Sequence, residues 1–296
     1  MSTRTEAVMG TLVSIRVVAS GEEVDFAVER AFDWFQEIEE RCSRFDPDSE
    51  LMQLCGKPGK PVVASSILYE AVGFALTVAE ETGGAFDPTV GYRMERRGFN
   101  REHRSGEAVR SAYAAADDAS YRDVELDPRR QTITLHRPLT LDLGAVAKGL
   151  AVDAAVRELK PFRDFSIDAG GDLYLGGRNA AGELWSVGIR HPRRENGLID
   201  TLRVSNQAVC TSGDYEKRGP DGGHHILDPR VGTSARAVAS ATVVAPIAML
   251  ADALATAVFV MGPKDGLRLL AEMEVEGLLI TPELERFETR GLRRAA

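Results

Sequence analysis

The order in which two hydrophobic periods appear along the chain constrains the fold most. Over Glu22–Cys42 the apolar positions Val24, Val28, Ala31, Phe35, Ile38 and Cys42 step by four and three, which puts them on one stripe of a long helix. The same stepping through Ile67, Ala71, Phe74 and Val78 predicts a second helix, ended by Gly83-Gly84. Before them, Val13, Ile15 and Val17 alternate with Ser14 and Arg16, the period of a half-buried strand over 11–19. A helix is expected over 107–118, a strand at 132–135, and a strand at 141–143 leading into a helix that runs to 159. Strand signals then crowd together at 165–167, 172–175, 184–189, 201–204 and 241–245, separated by Gly-rich turns, with helices at 247–261 and 264–273. Long helices followed by short strands do not repeat as β-α-β units, which argues against a doubly wound parallel sheet. The expectation is an α+β fold with mixed or antiparallel sheets and flanking helices. No repeat, low-complexity tract or long linker divides residues 1–296, so one compact domain is expected, with two lobes as an option.

Composition narrows the partners. With 36 basic against 45 acidic residues the net charge is −9, which opposes tracking along a phosphate backbone and argues against nucleic acid. A nucleotide-sized anion needs only a local site. The first residues lack a basic segment followed by an apolar one, and no stretch approaches the roughly 18 apolar residues of a membrane span, so a cytoplasmic protein is expected. Cys42, Cys55 and Cys210 include no C-x-x-C pair and read as buried or half-buried free thiols. The basic residues Arg93, Arg96, Arg97, Arg101, His103 and Arg104 within 92–106 read as a solvated excursion.

Absences remove the commonest chemistries. No two glycines are separated by one residue, and G-x-x-x-x-G-K-[ST], H-E-x-x-H and G-x-S-x-G are missing, so dinucleotide, P-loop, zinc-protease and esterase-elbow signatures do not apply. Four segments instead gather Gly, Asp and hydroxyl residues at the ends of apolar runs. The first, residues 82–91, contains Gly83-Gly84-Ala85-Phe86-Asp87-Pro88-Thr89 and is accounted for, taken alone, by a helix end and an Asp-Pro turn. In the second, 141–149, Lys148 falls in the first helical turn, where it opposes the dipole; an anionic ligand explains it better than helix stability does. Asp142 is either part of that site or an N-cap. The third holds Asp214 and the pair His224-His225, whose side chains diverge on an extended chain, so at most one reaches a given site. In the fourth, Asp252 and Thr256 are four apart on one face of an apolar helix. A buried carboxylate there needs a partner, either Mg²⁺, which accepts one or two carboxylates beside waters and phosphate, or an Arg or a backbone turn.

In this order the segments resemble the ApbE family, the FAD:protein FMN transferases. The match runs through Met9-Gly10-Thr11, Ser43-Arg44-Phe45, Asp48-Ser49-Glu50, the 83–89 and 142–149 segments, Ala169-Gly170-Gly171-Asp172, 211–215, 225–229 and 251–256. The resemblance implies an ApbE-type fold and an enzyme that uses Mg²⁺ to transfer FMN from FAD to a Thr or Ser hydroxyl of an acceptor flavoprotein, releasing AMP. It implies FAD contacts from Met9, Phe45, Ala85, Phe86, Asp87, Asp142, Lys148 and Ile226. Mg²⁺ would take the Asp252 carboxylate, the Thr256 hydroxyl and backbone oxygen at Ala145 and Ala255. The attacking hydroxyl needs a proton acceptor, His225 first and Asp214 second. Family members usually continue from the F-D-P-T-V-G segment into an apolar stretch with Trp-Gly-Phe; here Arg97-Gly98-Phe99 stands instead. A Mg²⁺-dependent FAD pyrophosphatase and a non-catalytic FAD-binding protein are the alternatives.

Overall fold

The computed structural model describes all residues except 103, 104, 112, 113, 115, 117, 295 and 296. The chain forms two compact units and passes between them four times: unit 1 comprises residues 1–36, 148–215 and 236–296, and unit 2 comprises 37–147 and 216–235. The helices are α1 (Glu22–Cys42), α2 (Glu50–Cys55), α3 (Ser66–Glu81), α4 (Gly91–Arg96), α5 (Ala147–Leu159), α6 (Ala248–Met261) and α7 (Pro263–Glu272).

Unit 1 is organised by an antiparallel sheet of β1 (Ser2–Val8), β2 (Thr11–Val17), β3 (Phe165–Ala169), β4 (Asp172–Gly176), β5 (Gln207–Gly213), β6 (Ser240–Ala245), β7 (Glu276–Ile280) and β8 (Arg286–Glu288), adjacent in that order. Each strand therefore pairs with its neighbour in chain order, and successive side chains alternate between two faces. One face carries Leu175, Val209, Val244, Leu278 and Ile280, on which the hairpin of Trp185–Arg190 and Leu198–Val204 packs through Trp185, Val187, Ile189 and Leu202. α6 packs on β5 and β6 and meets Cys210, the neighbour of Val209 in the strand. Two tight turns lie side by side at one end of the sheet. Met9-Gly10 joins β1 to β2 and Gly170-Gly171 joins β3 to β4, all four residues with positive φ. A Cβ on Gly170 would stand 2.2 Å from Thr11 Oγ1, so glycine is required there.

Unit 2 contains α2, α3, α4 and a three-stranded sheet in which Thr132–Leu135 lies between Pro61–Val63 and Val124–Asp127. Ser49 and Ser65 cap α2 and α3 by accepting the amides of Met52 and Leu68.

All six expected stripe positions of α1 are buried. The stripe of α3 is displaced: Leu68, Ala71, Val72, Ala75 and Val78 are buried, whereas Ile67 and Phe74 are half-buried. The expected helix at 107–118 does not form among its described residues. Ala108 bridges Arg101 and the Val109 amide bonds to the Asn100 carbonyl, so backbone partners across a loop replace helical ones; residues 112, 113, 115 and 117 lie outside the described residues. Residues 141–143 are not a strand, because the Asp142 amide bonds to the Pro88 carbonyl at the start of a turn. The basic stretch is not simply solvated either. Residues Gly91–Arg96 form α4 with Met94 buried, while His103 and Arg104 lie outside the described residues. The three cysteines are buried free thiols.

Candidate active site

The residues nominated from the sequence divide between the units. Unit 1 holds Met9, Lys148, Asp214, Asp252, Ala255 and Thr256, and unit 2 holds Phe45, Ala85, Phe86, Asp87, Asp142, Ala145, His225 and Ile226.

In unit 1 the first turn of α5 is held against the start of α6. A Cβ on Gly149 would come within 2.5 Å of the Met249 Cα, so glycine permits the close approach. The residue before α6, Ile247, offers no side-chain cap. The cap comes from α5, where the Asp153 carboxylate accepts the amides of Ala248 at 2.7 Å and Met249 at 2.9 Å. This contact places Lys148 between two acids. Its Nζ donates to Asp172 Oδ2 at the first residue of β4 and, at 3.3 Å, to Asp252 Oδ2 on α6. Both carboxylates are buried, each 5% exposed. Burial first, and the Asp172 carboxylate second, push the Asp252 carboxyl up to about 7 against the pull of Lys148. Burial also opposes the ammonium, but the two carboxylates outweigh it and hold Lys148 above its ordinary range. The first-turn lysine thus has two internal acids as partners, which its place in the helix did not reveal. One turn beyond Asp252, Thr256 Oγ1 lies 3.1 Å from Ser212 Oγ. Asp214 is gripped by Arg193 in a two-point fork, both contacts 2.7 Å. Met9 sits at the β1–β2 turn with φ +52°, a left-handed conformation uncommon outside glycine.

In unit 2 the buried Arg44 donates to Asp142 Oδ2 at 2.7 Å and to the Phe99 carbonyl at 2.5 Å, with its guanidinium 4.2 Å from the Phe45 ring centroid. The other Asp142 oxygen accepts the Gly144 amide at 2.8 Å, so Asp142 closes a turn two residues long and does not cap α5. Burial opposes its ionisation, yet Arg44, Gly144 and Lys217 outweigh it and hold the carboxyl below the ordinary range. Asp87 accepts from the Thr89 amide and hydroxyl and from the Tyr121 amide, while burial raises its carboxyl. Ala85, Phe86 and Ile226 are buried and Phe45 and Ala145 half-buried.

The two histidines differ as expected for neighbours on an extended chain. His224 Nε2 lies 2.6 Å from the Ala235 carbonyl, and its Nδ1 accepts the Ile226 amide. His225 Nδ1 is buried with no partner among the described residues, and its ring stands edge-on to Phe99 at 6.5 Å. Burial, then Lys217 and His224, lower the imidazole to about 4, so it is neutral near pH 7.

The sequence motifs contain Arg44, Asp172 and Ser212 without assigning any of them a role, and Asp153 and Arg193 fall outside every motif. Asp153 had the clearest local signal: an acid five residues after Lys148 in a helix that needs none there. Among the described residues no three His, Cys, Asp or Glu side chains gather in a metal-binding group. The set of one carboxylate and one hydroxyl on α6, with Asp172 across Lys148, matches Mg²⁺, which keeps waters and substrate phosphate for its other positions. No helix among the described residues is long and apolar enough to cross a membrane.

The profile of the ApbE family matches residues 9–279. The chain is 35% identical to the FAD:protein FMN transferase of Treponema pallidum over 95% of this chain and 84% of that protein. It is 26% identical to the protein of the same name from Haemophilus influenzae, over 92% and 84%. Its structure is similar to that of the ApbE protein from Thermotoga maritima, with a TM-score of 0.85 at 30% identity over 98% of this chain and 97% of that one. The flavin transferase ApbE from Vibrio cholerae shares the fold, with a TM-score of 0.83 at 24% identity over 99% and 96%. Over nearly its whole length the chain belongs to the ApbE family.

Proposed function

We propose that this enzyme transfers the FMN moiety of FAD to a Ser or Thr hydroxyl of an acceptor flavoprotein, releasing AMP. The observation that carries the reading is the Lys148 cluster. Two buried carboxylates share one ammonium, which leaves a site short of positive charge on an α6 face that also presents Thr256. Asp252 and Thr256 would hold Mg²⁺, with the carbonyls of Ala145 and Ala255 as further oxygen donors. Ala255 lies inside α6, so its carbonyl already accepts a helical bond and has one lone pair left. The ion supplies charge to the FAD pyrophosphate and to the oxygen on which AMP departs.

The chain's own residues do the rest. The acceptor oxygen forms a bond to the phosphorus of the FMN moiety, the bond from that phosphorus to the AMP oxygen breaks, and the hydroxyl proton passes to the imidazole of His225. A neutral ring with an unpartnered buried nitrogen is ready to accept it. Asp214 is the poorer base because Arg193 occupies both its oxygens. Met9, Phe45, Ala85 to Asp87 and Ile226 bind FAD, and Lys148 faces its phosphates. Asp142 acts by holding Arg44 and the turn at Gly144, since both its oxygens are engaged. Incubation with FAD, Mg²⁺ and a Thr-containing acceptor should give covalent flavin fluorescence on the acceptor and AMP in solution. Free FMN formed at one rate with or without acceptor would replace this reading with FAD pyrophosphatase.

A further inference from the structure

A histidine base is ordinarily oriented by a hydrogen bond on its second ring nitrogen, often from a carboxylate. His225 has no such carboxylate, since its Nδ1 is buried without a partner among the described residues. The charged groups that act on the ring are Lys217 and His224, which oppose the imidazolium, and Asp142, which favours it. Asp142 is committed to Arg44 and to the Gly144 amide, and the Lys217 carbonyl already accepts the His225 amide at 3.1 Å. What the ring does meet is Phe99, edge-on, with centroids 6.5 Å apart and planes at 61°. That geometry lies within the range of an attractive aromatic pair, about 4.5–7 Å.

Phe99 is itself held from several sides. Its amide bonds to the Met94 carbonyl of α4 at 3.0 Å, and its carbonyl accepts Arg44 Nη2 at 2.5 Å. The Arg97 guanidinium lies over the ring at 5.5 Å. The ring tip abuts Gly219, where a Cβ would come 2.9 Å from Phe99 Cζ. Gly219 belongs to the same backbone loop as the base, for its amide bonds to the Gly223 carbonyl just before His224-His225. The ring is therefore wedged against the segment that carries His225, and the Arg44–Asp142 pair fixes its backbone. We propose that Phe99 is a positioning residue for the general base: its ring edge sets the plane of the His225 imidazole and keeps water from it, where other enzymes use a carboxylate. This inference rests on the transferase reading, in which His225 takes the hydroxyl proton. Loss of the ring admits water and relaxes the burial that lowers the imidazole, so its titration should move upward.

The full chain without FAD supplies the first readout. NMR follows the imidazole signals of its five histidines, those of His225 being identified by their loss in His225→Gln. Phe99→Ala should raise the His225 midpoint from about 4 by about one unit or more, towards the ordinary value of about 6.5. Phe99→Leu keeps apolar bulk, which protects the fold, and should raise it less. The second readout is covalent transfer with FAD, Mg²⁺ and a Thr-containing acceptor. Turnover of Phe99→Ala at pH 7 should fall roughly tenfold, because the ring is still neutral there but no longer held in plane. The acid limb of kcat/KM, which reports the free enzyme, should move to higher pH by the same amount as the NMR midpoint. An unmoved His225 midpoint in both variants would overturn the inference, however far the melting temperature falls, and would leave the transferase intact. A raised midpoint with an acid limb that stays in place would remove His225 as the base, and the inference with it. Free FMN formed by the wild type at one rate with or without acceptor would reject the transferase, and a raised midpoint would then still retain Phe99 as the residue that holds the ring.

Discussion

Two carboxylates, half-buried Asp142 in unit 2 and buried Asp252 in unit 1, meet opposite fates. Asp142 has a guanidinium to itself and an amide on its second oxygen, and its carboxyl is held below the ordinary range. Asp252 shares one ammonium with Asp172, and its carboxyl is pushed up to about 7. Burial acts on both in the same direction, so the number of cations per carboxylate decides the outcome. The first arrangement is electrostatically finished and reads as scaffold; the second is one positive charge short and reads as a place for a cation that arrives with substrate.

The largest expected effect comes from removing the unfinished site's acid. Asp252→Ala should take transfer below detection and abolish the melting-temperature rise given by Mg²⁺ plus FAD. The apo protein should be little changed or stabilised, because Lys148 keeps Asp172 as its partner. A variant that retains the Mg²⁺-dependent rise would remove Asp252 from the metal and erase the contrast with Asp142.

Next comes the base. His225→Ala should lose roughly 10²- to 10⁴-fold in turnover while still binding FAD, the range of a general base. His224→Ala should act on stability, since it forfeits contacts to Ala235 and Ile226, worth about 1 kcal/mol each. Equal kinetic losses for both would sink the assignment.

The finished pair should show itself in stability. Asp142→Ala leaves the buried Arg44 without its carboxylate and should cost roughly 3–5 kcal/mol in chemical denaturation. The pH dependences should run in opposite directions. Asp142, lowered in the folded state, stabilises above the ordinary carboxylate value of about 3.9, and that stability is lost as pH falls through its folded value. Asp252, raised in the folded state, contributes stability that is fully present below about 3.9 and lost as pH rises through about 7. Apo protein should therefore lose stability between roughly pH 4 and 7, and Asp252→Asn should flatten that decline. If Asp142→Asn flattens it instead, the two roles have been assigned the wrong way round.

What the sequence made legible was local. The α1 stripe follows from spacing within one helix, and the Asp252–Thr256 face follows from a separation of four. The cation-to-acid ratios were hidden, because Arg44 and Asp142 are 98 residues apart and Lys148 and Asp252 are 104 apart. Nothing periodic links such positions, so the sequence could not show which cation serves Asp142 or which acids Lys148 serves. β5 escaped for another reason. No strand is expected at 207–213, because Thr, Ser and Gly weaken the signal at its end, yet these residues complete a strand whose Thr211 hydroxyl pairs with Thr242 of β6 at 2.8 Å.

The smallest effect separates metal from scaffold within unit 1. Thr256→Val keeps the shape and removes the hydroxyl, which lies 3.1 Å from Ser212 Oγ. As a Mg²⁺ ligand the hydroxyl can be replaced by water, so turnover at saturating Mg²⁺ should fall by only about tenfold, roughly 1.4 kcal/mol, and the Mg²⁺ concentration for half-maximal rate should rise. As a scaffold bond its loss costs about 1 kcal/mol of folding stability whether or not Mg²⁺ is present. A Mg²⁺ titration of rate, run beside a melting curve without metal, distinguishes the two. A shifted Mg²⁺ midpoint with an apo melting temperature within a few degrees of wild type places the hydroxyl on the ion. An unchanged midpoint with a lowered melting temperature assigns Thr256 to Ser212 and leaves Asp252 as the sole α6 side chain on the cation.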